Sequence, residues 1–138
     1  MKIKALLVMS GTEVQTVKIP GNFKFIRALV GKDVSKIKLA RDIHIIANNN
    51  APVSDFNRIL KGKVILGSFL IIATKNNKIV SMDKKAIRRY TNMFKLRKHK
   101  NKIEFYREKY LEEYYTELQK TKQKNIEQVS EEVVKLAA

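Results

Sequence analysis

Hydrophobic and polar positions alternate over residues 3–80 in short runs that are typical of β-strands. The runs "IKALLVMS" and "EVQTVKIP" stand on either side of Gly11-Thr12 and predict a hairpin that Pro20-Gly21 closes. The runs "VSKIKLAR", "IHIIANNN" and "KVILGSFLIIATKNNK" predict further strands. The last run is the most apolar stretch and is therefore expected to be central. The pattern predicts a small, mainly antiparallel sheet and does not define its strand order.

Local signals mark the turns and one short helix within this region. "NFKFIRALVG" has helical spacing, with Asn22 placed as an N-cap and Gly31 as a C-terminal cap. The runs Asn48–Asn50 and Asn76-Asn77 are turn signals, because asparagine tolerates left-handed backbone conformations. Gly67 interrupts an apolar run and indicates a bulge or a close approach of another backbone.

From Ser81 onward the period of the pattern becomes helical. Ser81 is the candidate N-cap and Asp83 suits the first turn of the helix. One apolar stripe contains Met82, Ala86, Ile87, Tyr90, Met93 and Phe94. A second amphipathic helix is predicted over about 103–118, and a short seam with 3-4-3 spacing over 126–136. Residues 121–125 are the expected flexible joint.

The predicted fold class is therefore α+β: a small antiparallel sheet with a short helix, followed by C-terminal amphipathic helices. At 138 residues the chain is long enough for one core. We expect an α+β domain over residues 1–96 and, over residues 97–138, a basic linker with a helical extension.

Charge is distributed unevenly along the chain. The formal net charge is +16, of which +6 lies in residues 1–50 and +11 in residues 51–100, whereas residues 101–138 carry −1. A basic body with a nearly neutral tail favours a polyanionic partner. The alternative is that lysine has replaced other polar residues without functional consequence.

The positive charge is densest in "MDKKAIRRYTNMFKLRKHKNK", which has nine Lys or Arg residues and Asp83 as its only carboxylate. We call its candidate nucleic-acid or anion-binding residues the basic strip: Lys84, Lys85, Arg88, Arg89, Asn92, Lys95, Arg97, Lys98 and Lys100. Unpaired like charges at this density repel one another unless an anion relieves them. Tyr90 and Phe94 belong to the apolar stripe, so we expect them to fill the core and not to stack on bases. Contacts of this kind predict affinity for phosphates without base specificity.

Catalysis and metal binding have little support in the sequence. There is no cysteine, the five glycines are isolated, and the only two imidazoles are His44 and His99. His44 lies within a strand and is expected to be structural or exposed, while the cations around His99 disfavour its charged form. Five scattered carboxylates precede residue 96, and we expect no enzyme, cofactor or metal site.

The order of these elements resembles a small domain family of unknown function that is common in phages, plasmids and other mobile elements of Gram-positive bacteria. The resemblance covers about residues 1–94 and is carried by "MKIKALLV", "VQTVKIPGNFKFIRALVG", "IHIIANNN" and "KVILGSFLIIA…IVSMDKKAIRRYTNMF". Lys32 stands where members usually have a second glycine, and the chain is basic where members are often acidic. The resemblance implies an accessory protein of a mobile element and transfers no catalytic residue.

Two functions remain open at this stage. The first is a phage or mobile-element accessory protein, in the cytoplasm of a bacterial host, that binds nucleic acid through the basic strip. The alternative is an anti-defence or host-takeover inhibitor that sequesters an acidic host protein or a small anionic nucleotide. No signal peptide or membrane-spanning run is visible, so no membrane partner is expected.

The tail carries an apolar stripe that predicts a homodimer interface. Its central members are Tyr106, Tyr110, Tyr114 and Leu118. Tyrosine suits an interface because it contributes buried area while its hydroxyl stays hydrated. The alternative is that the tail folds back onto its own domain.

Overall fold

The structure is a computed structural model in which the backbone is described for residues 1–137 and the side chains for residues 1–121. The elements are β1 (Lys2–Val8), β2 (Gln15–Pro20), α1 (Phe23–Val30), β3 (Val34–Ala40), β4 (Ile43–Asn48), β5 (Phe56–Leu60), β6 (Lys63–Leu66), β7 (Phe69–Lys75), β8 (Lys78–Val80), α2 (Lys84–Met93) and α3 (Leu96–Ala137). The chain divides into two units, Met1–Glu104 and Phe105–Ala138. The predicted α+β class is confirmed.

The main sheet is antiparallel throughout its described strand pairs. Its order is β2-β1-β7-β4-β3, and β8 pairs with the end of β7. The predicted hairpin pairs Lys2 with Pro20 and Leu7 with Gln15. β7 is central because it lies between β1 and β4 and its first five residues are buried. β5 and β6 form a separate two-stranded sheet.

Helix α1 covers one face of the main sheet. Ile26 and Val30 of the helix pack into a buried cluster with strand residues such as Ile3, Ile46 and Leu70. Asn22 is the N-cap, as predicted, and its side chain accepts the backbone N–H of Phe25 at 2.8 Å. Burial of these aliphatic side chains, each contributing about 1.5–3 kcal/mol, fixes the helix to the sheet.

Hairpin β5–β6 and helix α2 cover the opposite face. Phe69 and Ile71 of β7 face a buried cluster that includes Ile65 of the hairpin and Tyr90 and Phe94 at the end of α2. Phe94 is fully buried, and its ring meets that of Phe69 edge to face at 5.5 Å. Both α2 aromatics therefore fill the core, as predicted.

The turn signals in the sequence were correct. Gly31 donates its N–H to Arg27 at the end of α1, and Asn76 and Asn77 both adopt positive φ between β7 and β8. Gly67 has φ +71 and a Cβ there would lie 2.7 Å from the Cβ of Ala51, so a close approach does occur at this position. Because the chain turns at Gly67, the long apolar run forms two strands, β6 and β7, and not one.

Two predictions for α2 were wrong, namely the identity of its N-cap and the burial of Met93. The N-cap of α2 is Asp83, not Ser81, because the hydroxyl of Ser81 accepts the backbone N–H of Lys4 in β1. Met82 also bonds to the carbonyl of Lys4 and is buried, so the chain stays beside β1 for two more residues. Met93 of the predicted apolar stripe is 36% exposed.

The expected linker at 97–102 is helical, since α3 begins at Leu96 and not at Ile103. The backbone is also helical across the expected joint at 121–125. The apolar seam predicted over 126–136 lies outside the described side chains. None of the helices in the described part of the chain combines the length and the apolar character that crossing a bilayer requires.

Candidate nucleic-acid interface

Helix α2 is oriented by its apolar side, which leaves its basic side outward. The carboxylate of Asp83 accepts the N–H of Ala86 at 2.8 Å and begins the helix. Ala86 and Ile87 are half-buried and Tyr90 is 3% exposed, so this side of two successive turns packs towards the sheet. The opposite side of an amphipathic helix must then face solvent.

The basic strip lies at the surface along its whole length. All of its members are exposed except Lys95, which is half-buried. Lys84 and Arg88 are four residues apart on α2, as are Lys85 and Arg89, so each pair shares one side of the helix. The guanidinium of Arg89 lies 5.8 Å from the centre of the Tyr90 ring. A side chain must reach the surface to contact a phosphate, and the members of the basic strip do so.

An open groove of about 1330 Å³ runs along α2. Six basic-strip residues line it, namely Lys84, Lys85, Arg88, Arg89, Asn92 and Lys95. Its other side comes from Thr16 of β2 and from Ala40, Asp42 and Ile43 at the β3–β4 turn. The groove therefore offers five cations together with two carboxylates, Asp42 and Asp83, and neutral hydrogen-bonding groups.

The remaining three members of the basic strip do not line the groove. Lys98 adjoins it, because its Nζ donates to the side-chain oxygen of Asn92 at 3.0 Å. Arg97 and Lys100 are exposed on the first turns of α3. The structure thus brings six of the nine predicted residues together and connects a seventh to them.

The cations of the basic strip have no anionic partner in the described structure. Among residues 1–121, the one ion pair joins Lys120 to Glu117, at 3.7 Å on exposed α3. Two carboxylates, Asp42 and Asp83, do line the groove, but neither lies within 4.0 Å of a Lys or Arg nitrogen. The positive charge of α2 is therefore available to a ligand.

A buried polar cluster of Asn57, Arg58 and His99 holds the junction of α2 and α3 against the hairpin. Arg58 is fully buried, and its Nε donates to the carbonyl of Phe94 at 2.9 Å. Its other nitrogens donate to the carbonyl and side-chain oxygen of Asn57 and to the carbonyl of Thr12. The amide of Asn57 donates in turn to the carbonyls of Val8 and Gly67. This cluster fixes the end of α2, and with it the end of the basic strip.

Ionisation of the cluster is governed mainly by its burial. Burial lowers the pKa of Arg58, and the carboxylate of Glu13 acts in the opposite direction. That carboxylate also accepts the N–H of Leu96 at 3.0 Å and so caps the start of α3. Glu13, in the β1–β2 loop, therefore caps α3 and also favours the charged form of the buried Arg58.

His99 is the second anchor of this junction. Its Nδ1 accepts the N–H of Ile59 at 3.1 Å, so the neutral ring carries its proton on Nε2, which lies 2.9 Å from the carbonyl of Met93. Burial lowers the pKa of His99, and Arg58, Lys102 and Lys98 lower it further, against the carbonyl of Met93. The predicted direction is correct, but burial is a larger cause than the neighbouring cations.

His44 takes a structural place in β4, as expected. Its Nε2 lies 3.2 Å from the hydroxyl of Thr74, and burial, aided by Lys36 and Lys38, lowers its pKa. Within the described residues, no group of three or more His, Asp or Glu side chains could hold a metal ion.

The aromatic side chains predicted for an oligomer interface lie on α3. Tyr106 and Tyr110 are half-buried, whereas Tyr114 and Leu118 are exposed. The rings of Tyr110 and Tyr114 stack with centres 6.3 Å apart. The homodimer itself stays a prediction.

Sequence reasoning missed strands β5 and β8 and also two features of side-chain placement. Arg58 gave no signal, since a basic residue in "FNRIL" resembles the wet side of a strand. Phe23 and Phe25 of α1 are 38% and 37% exposed, which the helical spacing of the run did not show. Helical spacing alone does not define which apolar side faces the core when six of eight residues are apolar.

Comparison with protein families identifies the domain that carries this fold and groove. The model of a domain of unknown function, DUF3846, matches residues 1–95. The chain therefore belongs to the DUF3846 family, which agrees with the resemblance to a small family of unknown function. Comparisons with curated proteins and with solved structures give no match.

Proposed function

We propose that this DUF3846 protein is a non-catalytic accessory protein of a phage or mobile element that binds nucleic acid through the α2 groove. The observation that supports this most directly is the set of five groove cations without an ion pair among the described side chains. A row of lysine and arginine side chains suits the phosphates of a nucleic acid. Each contact with a phosphate releases condensed counterions, which favours binding.

The spacing of the cations on α2 fits a polymer better than a single anion. Lys84 and Asn92, the first and last groove residues on α2, are eight residues apart, which on a helical rise of about 1.5 Å per residue separates them by about 12 Å along the axis. Successive phosphates on one strand follow every few ångströms, so several of them can lie along the groove at once. Thr16, Thr91 and Asn92 add neutral donors of the kind that accompany phosphate contacts.

The test is a binding titration with a labelled duplex at low salt. We expect Lys84→Gln/Arg88→Gln to weaken binding about tenfold or more, because two phosphate contacts are lost. The matched control is Lys32→Gln/Lys63→Gln, which removes two exposed charges that do not line the groove. Equal losses in the two variants would leave only nonspecific attraction to net charge and would defeat the proposal.

The second candidate is an anti-defence or host-takeover inhibitor that holds a small anionic nucleotide in the same groove. Its supporting observation is the presence of Asp42 and Asp83 among the cations, since carboxylates accept hydrogen bonds from sugar hydroxyls and base amines. The groove has room for such a ligand, since its volume of about 1330 Å³ is above the range of about 300–1,000 Å³ that is typical of small-ligand sites. A nucleotide that co-purifies after nuclease treatment, with no affinity for duplex, would favour this candidate. Capture of an acidic host protein that resists nuclease would point to the protein target instead.

We also propose that two copies of the chain associate through the aromatic stripe of α3. Tyr114 and Leu118 of the predicted interface are 49% and 36% exposed, and exposed large apolar side chains in one row on a helix mark an interaction surface. Light scattering at tens of micromolar should give a dimer mass that falls to the monomer in Tyr114→Lys/Leu118→Lys. A monomer mass for the unchanged protein would contradict the dimer.

A further inference from the structure

Helix α1 carries half of the large exposed apolar side chains of the first unit. Six large apolar side chains of residues 1–104 are more than a third exposed, and three of them, Phe23, Phe25 and Leu29, lie on this eight-residue helix. Phe23 and Phe25 are also the only exposed Phe or Tyr rings of residues 1–104. Apolar groups concentrated in this way mark an interaction surface, whereas single exposed ones do not.

The rings are held on a fixed support. Ile26 and Val30, on the inner side of α1, are 0% and 8% exposed. Asn22 caps one end of the helix, and Gly31 at the other end lies so close to Asn48 that a Cβ would approach its side chain to 2.7 Å. The two rings are therefore presented by an anchored helix, which lowers the entropy lost when a ligand binds.

Cations alternate with the rings along α1. Lys24 and Arg27 are exposed, and no carboxylate occurs between Glu13 and Asp33. Arg27 follows Phe23 by four residues, so ring and guanidinium share one flank of the helix. Phe25 follows Phe23 by two residues and therefore lies on the other flank, with the cations of the outward side between the two rings. A ligand that fits α1 has negative charge over the outward side and planar apolar groups at both flanks.

We propose that α1 is a stacking platform for the bases of single-stranded nucleic acid, with Phe23 and Phe25 against bases and Lys24 and Arg27 at phosphates. Aromatic side chains interleaved with cations are the usual means of binding single strands, since every base offers a flat face. A second copy of the chain fits less well, because two such helices would bring four cations together. A duplex does not offer free base faces, so the platform distinguishes strandedness. The inference rests on the proposed nucleic-acid function and adds a second surface, on the opposite face of the sheet from α2.

Tryptophan fluorescence provides a direct test, because the chain has no tryptophan. In Phe23→Trp the indole should be quenched by an oligothymidine of about 12 nucleotides and not by a duplex of equal length. Val53→Trp, in the exposed loop between β4 and β5, is the control reporter and should not respond. An indole at position 23 that is not quenched would overturn the inference.

Affinity measurements separate stacking from general apolar contact. Phe23→Ala/Phe25→Ala should weaken single-strand binding about tenfold and leave duplex binding unchanged. Leu29→Ala, which removes a similarly exposed but nonaromatic group on the same helix, should leave both unchanged. Equal effects of the ring and leucine variants would overturn stacking and would indicate an apolar protein partner. Thermal melting of each variant confirms that it is folded.

Failure of this inference can be told apart from failure of the proposed function. Duplex binding that depends on Lys84 and Arg88, with no response at α1, would overturn the platform and keep the α2 interface. No binding of either oligonucleotide would overturn both.

Discussion

The two faces of the sheet are covered by helices that are attached in different ways. Helix α1 is held by aliphatic burial and local caps, with Ile26 and Val30 as its inner side chains. The α2–α3 junction is held by aromatic burial and by the hydrogen bonds of Arg58 and His99. Burial without directional bonds tolerates small shifts, whereas the polar cluster defines one position for the end of α2. The face that carries the basic strip is therefore the more precisely fixed of the two.

The outward sides of the two helices also carry different side chains. α2 presents cations and keeps its aromatic residue, Tyr90, in the core, whereas α1 presents two phenylalanine rings with two cations. Phosphate contact requires charge alone, but base stacking requires an exposed ring. Under the two proposals above, the two sides of one small sheet would contact different parts of a nucleotide, the phosphate at α2 and the base at α1.

The largest effect is expected from removing the guanidinium of the polar cluster. Arg58→Met should lower the free energy of unfolding by about 4 kcal/mol, because the buried carbonyl of Phe94 and the partly buried carbonyl of Thr12 lose their donor. Urea denaturation measures the loss. Arg97→Met, at an exposed position of the basic strip, is the control and should change stability by less than about 0.5 kcal/mol. Similar losses in both variants would mean that the cluster does not hold the junction.

A smaller effect is expected from the protonation of His99. Its pKa is lowered from 6.5 in the folded protein, so the unfolded chain takes up the proton first as pH falls. The stabilisation is complete above about pH 6.5 and decreases as pH falls from there towards the lower folded pKa. A protonated ring cannot accept the N–H of Ile59, and one such bond contributes about 1 kcal/mol.

The matching variant is His99→Asn, which retains an acceptor but does not titrate. Its stability, followed by thermal melting between about pH 7 and pH 5, should depend less on pH than that of the unchanged protein. His44→Asn provides the comparison, because burial also lowers the pKa of His44. If stability becomes less dependent on pH only in His44→Asn, the pH dependence does not arise at the α2–α3 junction.

The smallest effect concerns repulsion along α2. Lys84 and Arg88 are like charges four residues apart, an arrangement that destabilises a helix by about 0.3 kcal/mol. Lys84→Gln/Arg88→Gln should therefore stabilise the protein slightly while weakening nucleic-acid binding, and added salt should remove the gain. A loss of stability in low salt would show that these cations have a structural role.

The extent to which the sequence predicts this molecule follows from the range of each interaction. Asn22, Gly31 and Asn76 act on their immediate neighbours, and all three signals were correct. Ser81 has the right chemistry for a cap, but its hydroxyl is used by β1, seventy-seven residues away. The helical start of α3 was missed because His99 anchors it through Ile59, a contact that no local pattern contains.

In the candidate site too, features that depend on neighbouring residues could be predicted, whereas features that depend on distant residues could not. Exposure of the basic strip follows from the apolar spacing of α2, which a sequence displays directly. The groove depends on where the β3–β4 turn and β2 lie, and the strand order that places them was not predictable. The exposed rings of α1 required knowledge of which side of the helix the sheet covers.

The salt dependence of duplex binding tests the central claim most directly. With five or six phosphates at the α2 groove, the logarithm of the association constant should fall against the logarithm of salt concentration with a slope of about −5. Lys84→Gln/Arg88→Gln should reduce the steepness by about 2, while Lys32→Gln/Lys63→Gln and Phe23→Ala/Phe25→Ala should leave it unchanged. A flat response, or a slope that the α2 variant does not alter, would contradict a nucleic-acid interface on this helix.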